Sequence, residues 1–480
     1  MSQMNTPATP SSDHTAMAPY WRMVDAILGG AGAMRAAGKA FLPQFKNESE
    51  DAYKVRLEHA KFTNIFRDIA ENLAQRPFGK EVQIGGDAPD QIKAIVEDVD
   101  GEGNHLHVFA GDVMFNGITH ALDWILVDYT AGVPESATLA DEARIGARPY
   151  WVRIPATHVL AAYSAKVGGR EQFVHVRIRA DEMVRDGYGE RTVERIKVFD
   201  RPEADGTYGP ATWQLFERVK TETKEEWVAI NDPAPITIGV IPLVAFVTGR
   251  RQGGSWRVNP PLRDAAFLQI EHYQQESALK HAKTLTAFPM LAANGVAPAE
   301  DAAGNPAPVP VGPQAVLYAP PSADGSSGNW QFIEPNATSL RFLADDIKST
   351  ATELRELGRQ PLTAQSGNLT VVTTAFAAQK GNSAVQAWAI NLKDALEQAF
   401  VFTAMWLKAD YQTEVKVNTD FDVGTGADDT FAHVLALRER EEISREQTIA
   451  EAKRRNILGP DYDAEIDVTA ILKEGQGGDI

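Results

Sequence analysis

The chain has 480 residues, of which 44% are hydrophobic, so it can bury a substantial core in roughly two to four packed units. It contains no cysteine, which excludes disulfides and thiolate metal sites and fits assembly in a reducing cytoplasm. Its 65 acidic and 47 basic residues give a net charge of −18, which argues against a protein that grips DNA through clustered lysines and arginines.

The first segment, residues 1–19, is polar, contains prolines and has no apolar run. We therefore expect a disordered N-terminal arm rather than a signal peptide. The longest apolar stretches elsewhere, such as "AFVFTAMWL" around Phe402, are much shorter than a bilayer-spanning helix. The sequence predicts no membrane association.

Residues 20–79 carry a helical pattern. In "KFTNIFRDIAENLAQRPFG" apolar residues recur three and four positions apart, which places on one helix face Phe62, Ile65, Phe66, Ile69 and Leu73. A proline and a glycine end this pattern at Pro77 and Gly79. The next stretch, "HLHVFAGDVMFNGITHALDWILVDYT", predicts a short helix followed by a strand at "WILVDY", and residues 131–148 form a polar loop.

Residues 149–230 change to strand patterns. Short β-branched or aromatic runs are separated by Gly, Asp and Pro, as in "PYWVRIPATHVLAAYS", "EQFVHVRIRADEMV", "VERIKVFDR", "WQLFERVK" and "EEWVAIN". The first half of the chain is therefore predicted to be α+β, with its strands paired as antiparallel hairpins.

The stretch "IPLVAFVTGRRQGGSWRVNPPLRDAAFL" at 241–268 has the outline of a phosphate-binding loop, because an apolar strand leads through glycines to a helix. A phosphate loop needs backbone N–H groups followed by Lys-Ser/Thr. Here Gly253 and Gly254 are followed by no lysine, and Pro260 and Pro261 have no N–H to offer. The pattern instead favours a strand, a turn and a helix entered through Pro261.

Two helices and an insert follow. The helix predicted at 261–286 is polar almost all round in its second part, so we expect it to bridge solvent or to pack against copies of itself. Residues 287–338 are rich in Pro, Ala and Gly, with strand candidates at "QAVLYA" and "WQFIE". The helix predicted at 339–357 carries two apolar rows with seven-residue spacing, Leu340, Ile347 and Leu354 beside Leu343, Thr350 and Leu357.

Residues 358–373 interrupt the helices with Gly358, Pro361 and Gly367. A long helix at 374–410 follows, with an apolar stripe formed by Val385, Trp388, Leu392, Leu396, Ala399, Thr403 and Trp406. Near the C-terminus, Ser444 and Gln447 form a capping box that begins a last short helix.

Four quoted stretches in this order resemble the portal proteins of tailed bacteriophages, in particular a phage-portal-like family formerly described as a domain of unknown function. They are "RPYWVRIPATHVL", "IPLVAF" ahead of "PPLRDAAFLQIEHYQQES", "ELRELGRQPLTAQSGNLTVVTTAFAAQKGNSAVQAWAINLKDALEQAF" and "EISREQTIAEAKRRNIL". The resemblance covers most of the chain after about residue 50 and lies in the order of the stretches rather than in any one of them.

The resemblance implies a portal fold of the α+β class and a ring of about twelve subunits around a channel. The divisions it implies are the arm (1–19), the α/β wing (20–260), a stem helix (261–286), a small β-containing clip (287–338), a second stem helix (339–357), a tunnel loop (358–373), the long wing helix with its return (374–429) and a helical crown (430–480).

The resemblance also implies partners and a place. A portal lies at one capsid vertex of the virion, after assembly in the host cytoplasm. It contacts the major capsid protein, docks the large terminase subunit and later a neck adaptor protein, and passes double-stranded DNA during packaging and ejection. The net charge of −18 would suit a channel through which DNA moves without being held, although solubility alone explains it.

Within the implied tunnel loop, polar uncharged side chains lie between helix breakers. We predict that the residues facing DNA are Gln365, Ser366, Gly367, Asn368 and Thr370. Such side chains can contact a phosphate backbone without the affinity that counterion release gives to lysines. The ordinary alternative for a Gly/Ser/Asn cluster between helices is a flexible connector.

No recognisable catalytic or metal site stands out. His105 and His107 alternate as on one strand face but lack a third ligand, and neighbours on a helix such as Asp345 and Asp346 do not point together. We therefore expect no cofactor and no enzymatic activity. Two alternatives remain open from the sequence: another structural ring of the head-tail connector, such as an adaptor, and an enzyme with an unrecognised site.

Overall fold

The computed structural model describes residues 5–130, 141, 144–220, 225–287, 290–294, 328–333, 338–357, 371–419, 421, 427–454, 457–458, 462 and 467–468. It divides into two compact units, residues 1–420 and residues 421–480. Both helices and strands are extensive in the first unit, which makes the fold α+β as predicted.

The first unit contains nine of the helices that we number in chain order. They are α1 (Ser12–Leu28), α2 (Gly30–Ala37), α3 (Glu50–Glu58), α4 (Ile65–Gln75), α5 (Asp90–Glu97), α6 (Leu106–His120), α7 (Arg263–Ala287), α8 (Thr338–Leu357) and α9 (Val371–Leu407). The second unit contains α10 (Ala427–Glu439) and α11 (Arg445–Arg454).

The strands belong to the first unit. They are β1 (Gln83–Ile84), β2 (Leu122–Tyr129), β3 (Pro149–Ile154), β4 (Val159–Val167), β5 (Arg170–Arg179), β6 (Glu182–Asp186), β7 (Gly189–Val193), β8 (Arg195–Asp200), β9 (Glu203–Ala204), β10 (Thr207–Tyr208), β11 (Thr212–Lys220), β12 (Glu225–Ala229), β13 (Ala234–Pro235), β14 (Leu243–Val247), β15 (Arg250–Arg251), β16 (Val258–Asn259), β17 (Met290–Asn294), β18 (Asn329–Ile333) and β19 (Val415–Lys416).

A three-stranded antiparallel sheet in the order β14-β2-β3 lies at the centre of the core. Its middle strand, β2, is a nearly continuous buried run, as expected for a strand that is covered on both faces. Helix α6 and the long helix α9 both contact β2. The indole N–H of Trp151 on β3 donates to Thr403 Oγ1 on α9 at 2.9 Å, which fixes the helix against the sheet.

A second antiparallel sheet has the order β12-β11-β8-β5-β4, with β13 paired to β11. This confirms the predicted antiparallel hairpins between residues 149 and 230. The β5–β8 pairing places Arg179 opposite Ile196, and the same register continues into β6 and β7, where Glu182 pairs with Val193. The β6–β7 ribbon therefore extends from the end of the β5–β8 ladder, and the two strands pair only with each other.

The prediction of a disordered arm over residues 1–19 is wrong for the part that the structure describes. Helix α1 begins at Ser12, capped by the Ser11 hydroxyl, which accepts from the backbone N–H of His14. Asp13 accepts hydrogen bonds from the backbone N–H of Trp256 and from the Arg257 guanidinium. These partners, more than 240 residues away in sequence, secure a polar segment whose composition alone is typical of disorder.

The helical pattern predicted over residues 20–79 is divided among α1 to α4. The predicted face is buried on α4, where Ile65, Phe66, Ile69 and Leu73 all face the core, whereas Phe62 precedes the helix. The predicted short helix and strand after residue 105 are confirmed by α6 and β2. Gly117 of α6 permits close packing, because a Cβ at this position would lie 2.2 Å from the Phe246 ring on β14.

The stretch at 241–268 forms strand β14, the β15–β16 hairpin and the beginning of α7. Gly253 in the hairpin has φ = +63°, which explains a glycine there. A Cβ on Gly249 would lie 2.2 Å from the Asn259 carbonyl oxygen, so this glycine allows the two short strands to approach. The helix begins at Arg263, two residues after the expected start at Pro261.

The long helix α9 confirms the predicted stripe. It runs without interruption for 37 residues, about 55 Å at 1.5 Å per residue. Its stripe residues from Val385 to Thr403 are buried, and the Trp406 indole N–H donates to the Val127 carbonyl on β2. The stripe faces the central sheet because its apolar side chains and those of β2 and β3 bury one another.

In the second unit, α11 is capped as predicted. The Ser444 hydroxyl accepts from the backbone N–H of Gln447 at 3.1 Å, and the Ser444 carbonyl accepts from Thr448. Helices α10 and α11 contact each other through the turn that joins them.

Candidate functional site

Helices α7 and α8 form a helical hairpin, and we take it as the first candidate surface. The two helices pack against each other, and Gln275 of α7 donates to Asp346 of α8 at 3.0 Å. Near the other end of α8, Arg355 pairs with Asp68 of α4 at 3.1 Å. Strands β17 and β18, which follow α7 and precede α8, pair as an antiparallel ladder. The hairpin is therefore antiparallel, with a small β element at its far end.

Four polar residues of α7 are buried inside the chain, namely Gln269, His272, Glu276 and Ser277. Gln269 Oε1 accepts the backbone N–H groups of Ile65 and Phe66, each at 2.9 Å, and its Nε2 donates to the Thr63 carbonyl at 3.0 Å. Helix N-termini leave such N–H groups without intrahelical partners. Gln269 thus caps α4 from a different part of the sequence.

About two turns further along α7, Glu276 also binds the segment that precedes α4. Its carboxylate accepts from the Thr63 backbone N–H at 3.0 Å and from Lys61 Nζ at 2.6 Å. His272 lies 3.8 Å from the same carboxylate. Burial lowers the pKa of His272, against the opposing effect of the Glu276 charge. The expectation that this polar face is covered by other copies is therefore wrong for these residues, because α4 and the segment before it cover them.

Other side chains of the hairpin remain uncovered. Phe267 on α7 is 52% exposed and Phe342 on α8 is 73% exposed, and Leu357 at the end of α8 is also exposed. Of the predicted seven-residue rows, Thr350 and Leu354 are buried within the chain, whereas Leu357 is not. Large exposed apolar side chains that recur along one projecting element are typical of interaction surfaces.

A groove of about 610 Å³ beside the central sheet is the second candidate surface. Its walls are β14, the second half of α9 and the end of the β4–β5 hairpin around Arg170. β14 is an edge strand, since among the strands that the structure describes it pairs only with β2. The floor is mainly apolar and includes Phe173, Leu243, Val247, Trp256 and Phe402.

The open edge of β14 can be assigned from its hydrogen bonds. The Pro242 carbonyl accepts from Val127 of β2, and the Thr248 N–H donates to Ala121 just before β2, so the even-numbered residues between them point their backbone groups at that strand. Leu243, Ala245 and Val247 therefore direct N–H and C=O groups away from β2. The Val247 carbonyl accepts from Asn391 Nδ2 of α9 at 3.1 Å. Among the described residues, no hydrogen bond reaches the outward groups of Ala245, which is only half-buried and can receive another strand, whereas Leu243 is almost completely buried.

Charged side chains stand at opposite sides of this groove. Arg170 lies at the beginning of β5 and Asp394 lies on the exposed side of α9, and neither forms an ion pair with a described residue. Glu171 is held in a bidentate pair by Arg251, and these contacts lower its pKa. Arg251 in turn lies 3.9 Å from the centre of the Trp256 ring. The groove thus has an apolar floor between a basic and an acidic rim.

A buried carboxylate lies under the central sheet. Asp123 on β2 is fully buried, and Arg153 approaches its Oδ2 only to 3.5 Å. Burial raises the pKa of Asp123 to about 8, because the nearby guanidinium offsets only part of the desolvation. Its Oδ1 makes no hydrogen bond to the part of the chain that the structure describes.

One cluster has the components of a nucleophilic triad. Thr119 Oγ1 lies 2.9 Å from His120 Nδ1, and His120 Nε2 lies 2.9 Å from Asp25 Oδ1. Thr119 is completely buried, and its hydroxyl donates to carbonyls of its own helix. A substrate cannot reach this oxygen, so the cluster fixes the end of α6 against α1.

The histidines singled out in the sequence have structural contacts. His105 caps α6, its Nδ1 accepting from the backbone N–H of His107, and His107 Nδ1 accepts from the N–H of Val82. The pair therefore begins a helix and does not lie on a strand. Asp346 binds Gln275, whereas Asp345 pairs with Lys348. Within the described ranges, no group of three or more His, Asp or Glu side chains could hold a metal ion.

The predicted tunnel-loop residues Gln365, Ser366, Gly367, Asn368 and Thr370 lie outside the described residues, as does most of the predicted clip. The strand expected at "WQFIE" is confirmed by β18, and its partner β17 was not predicted. Among the helices that the structure describes, none combines the length and apolarity needed to cross a membrane.

Comparisons with known proteins match parts of the chain. Residues 261–407, from just before α7 to the end of α9, match a family described as a domain of unknown function (DUF4055). No curated protein matches. Among solved structures, a chain from the neck of a native GTA particle computed with C12 symmetry is 12% identical, with a TM-score of 0.42, over 82% of this chain and 89% of that chain. A chain from the neck of an empty GTA particle computed with C6 symmetry is also 12% identical, with a TM-score of 0.41, over 81% and 89% of the two chains.

Proposed function

We propose that this protein is a ring-forming structural subunit of a phage-like head-tail connector, and within that class a portal protein. The observation that carries the proposal is that Phe267 and Phe342 on the α7–α8 hairpin stay uncovered in a single chain. A closed ring would cover these residues with the hairpins of adjacent subunits, through the same heterologous contact repeated at each subunit.

The order of helices and strands along the chain supports the assignment as a portal protein within that class. An α+β body leads through β14 into the hairpin, a small β element lies at the far end of the hairpin, and a long helix returns across the central sheet. This is the order that the resemblance to portal proteins implies for wing, stem, clip and wing helix. In this proposal the hairpin lines a channel, and the clip docks the terminase and later a neck adaptor.

The charges of the hairpin suit a channel that DNA crosses. α7 carries three basic and three acidic residues, and α8 carries three basic and four acidic residues. A duplex would therefore meet no basic stripe along these helices, and the strong attraction that counterion release produces would be absent. The DNA contact assigned to Gln365, Ser366, Gly367, Asn368 and Thr370 belongs to the same proposal, as does a structural rather than catalytic role.

The first test is the mass of the purified protein. We expect native mass spectrometry and negative-stain imaging to show closed rings many times heavier than the 52.4 kDa chain. Phe342→Glu should shift the protein to monomers, because burying a carboxylate in a ring interface is strongly unfavourable. Val108→Glu, at another exposed apolar position on α6, should leave the rings intact. A monomer at every protein and salt concentration would contradict the proposal.

The second test separates a portal from an adaptor. In a packaging reaction with the cognate terminase, replacing part of residues 287–338 should leave rings intact and abolish DNA packaging. Rings that join the particle only after DNA is packaged, and that do not bind terminase, would identify an adaptor instead.

A further inference from the structure

The β6–β7 ribbon lacks the cover that a two-stranded ladder needs. Nearly all of its side chains are exposed, including Met183 at 60% and the fully exposed Tyr188 at the turn. Isolated two-stranded ladders are marginally stable in water, and they gain stability from a third strand or an apolar surface. An aromatic residue at the tip of such a ribbon is therefore suited to insertion into a neighbouring molecule.

The ribbon and the groove lie at opposite ends of one continuous hairpin. Arg170, at the beginning of β5, lines the groove, whereas Tyr188 follows the end of β6. Seventeen residues of extended chain from Arg170 to Asp186 separate them, which corresponds to about 55 Å at roughly 3.3 Å per residue. One chain thus presents a projecting element at one end and a receiving groove at the other.

The two surfaces complement each other in three respects. The groove offers the outward backbone groups of Ala245 at a strand edge, and both β6 and β7 have an edge that pairs with no described strand. The apolar floor matches the exposed Tyr188 and Met183. The ribbon carries a basic and an acidic residue at paired positions, Arg185 and Glu190, which suit the acidic and basic rims of the groove.

The geometry points to a contact between copies of this chain in which the β6–β7 ribbon of one subunit adds to the β14 edge of the next, with Tyr188 inserted in the groove. Main-chain hydrogen bonds to Ala245 would supply affinity, and the aromatic side chain in the groove would supply specificity. Because the ribbon tip and the groove are different surfaces, the contact is heterologous and continues from subunit to subunit until a ring closes. This inference rests on the proposed ring, for which it names an interface separate from the α7–α8 hairpin.

Cysteine cross-linking tests the contact directly, since the chain has no cysteine of its own. In the double variant Tyr188→Cys with Met405→Cys, which places one thiol at the tip and one at the groove, a short bismaleimide should join subunits into a ladder beyond the dimer. The matched control is Tyr188→Cys with Val108→Cys, whose second position, on α6, is 51% exposed against 38% for Met405. The control should give at least about tenfold less of the higher bands.

A pair of substitutions at the tip measures the energetic contribution. Tyr188→Glu should raise the protein concentration at which rings dissociate by about tenfold or more, as expected for a central aromatic residue of an interface. Tyr188→Phe should change it little. Since Tyr188 is fully exposed in the single chain, neither substitution should alter the melting temperature of the monomer.

The outcomes separate this inference from the proposed function. Rings that form normally, show no ladder and tolerate Tyr188→Glu would overturn the ribbon contact and leave the ring proposal standing. A protein that is monomeric under all conditions would overturn both. A ladder together with weakened assembly of Tyr188→Glu would establish the contact.

Discussion

Gln269 of α7 accepts the backbone N–H of Ile65 at the first residue of α4, across 204 positions of sequence. The same oxygen accepts from Phe66, and the amide nitrogen donates to Thr63. One side chain of the candidate stem helix therefore completes the N-terminus of a body helix. The hairpin and the body are connected by buried hydrogen bonds as well as by chain continuity.

Replacing this glutamine tests the connection. Gln269→Leu keeps the approximate size of the side chain but leaves two N–H groups and one carbonyl without their partner. We expect a loss of about 2–4 kcal/mol in the free energy of unfolding, measured by urea denaturation. Gln275→Leu on the same helix, where the side chain contacts an exposed carboxylate, should cost less than about 0.5 kcal/mol. Equal losses in the two variants would contradict a capping role.

The contact between Trp151 and Thr403 gives a second prediction. Thr403→Val preserves shape but removes the acceptor of the buried indole N–H, so we expect a loss of about 1–3 kcal/mol in unfolding free energy. In a Trp151→Phe background the same change should cost measurably less. The matched control is Thr413→Val, because the buried Thr413 hydroxyl has no hydrogen-bond partner among the described residues. That control should be neutral or stabilising.

Asp123 gives a prediction about pH. Its pKa in the folded chain is raised to about 8, above the ordinary value of 3.8, so the folded state holds a proton that the unfolded state has already lost. Between about pH 4 and pH 8 stability therefore falls as pH rises, by up to about 1.4 kcal/mol per pH unit. Asp123→Asn should remove this dependence, so the variant gains stability relative to the parent as pH rises.

Urea denaturation at pH 5 and pH 8 measures the difference. The control is Asp232→Asn, at an exposed loop position, which should follow the parent at both pH values. A difference between Asp123→Asn and the parent that is the same at pH 5 and pH 8 would show that Asp123 is ionised in the folded chain.

Two glycines of α6 give opposite predictions. Gly117→Ala would place a Cβ 2.2 Å from the Phe246 ring, so we expect a loss of about 1–3 kcal/mol and a lower melting temperature. Gly111→Ala on the same helix meets nothing within 4 Å and should stabilise by up to about 1 kcal/mol. Thermal unfolding followed by circular dichroism distinguishes them, and the same sign for both would contradict the packing at Phe246.

The sequence was informative where a periodic pattern and local chemistry agree. The stripe from Val385 to Thr403 is buried as predicted, because one face of a long helix must cover a sheet. The cap at Ser444 needs only three further residues to form, so local sequence was sufficient. The antiparallel pairing of residues 149–230 followed from short runs with turn residues between them.

Predictions from the sequence were wrong where a contact with a residue far away in the sequence determines the local structure. Residues 12–19 are polar and contain Pro19, yet they are helical because Asp13 binds Trp256 and Arg257. The polar side of α7 suggested contact with solvent or with other copies, whereas Gln269 and Glu276 bind backbone N–H groups more than 200 residues away. The groove beside β14 combines three separate segments, so no single stretch of sequence indicates it. The DNA-facing loop remains a prediction.

The position of α9 has a consequence for synthesis on the ribosome. Trp151 on β3 and its partner Thr403 are 252 residues apart, and α9 supplies the apolar cover of the central sheet. Synthesis proceeds at roughly 5–20 residues per second, so α9 is complete only on the order of tens of seconds after β3 emerges from the ribosome. Throughout this time the nascent chain exposes the faces of β2 and β3 that α9 will cover, and β14 adds to this exposed surface once it has been made. The fold is therefore completed only when most of the chain has been made, and chaperones that shield apolar surface on nascent chains would act during this interval.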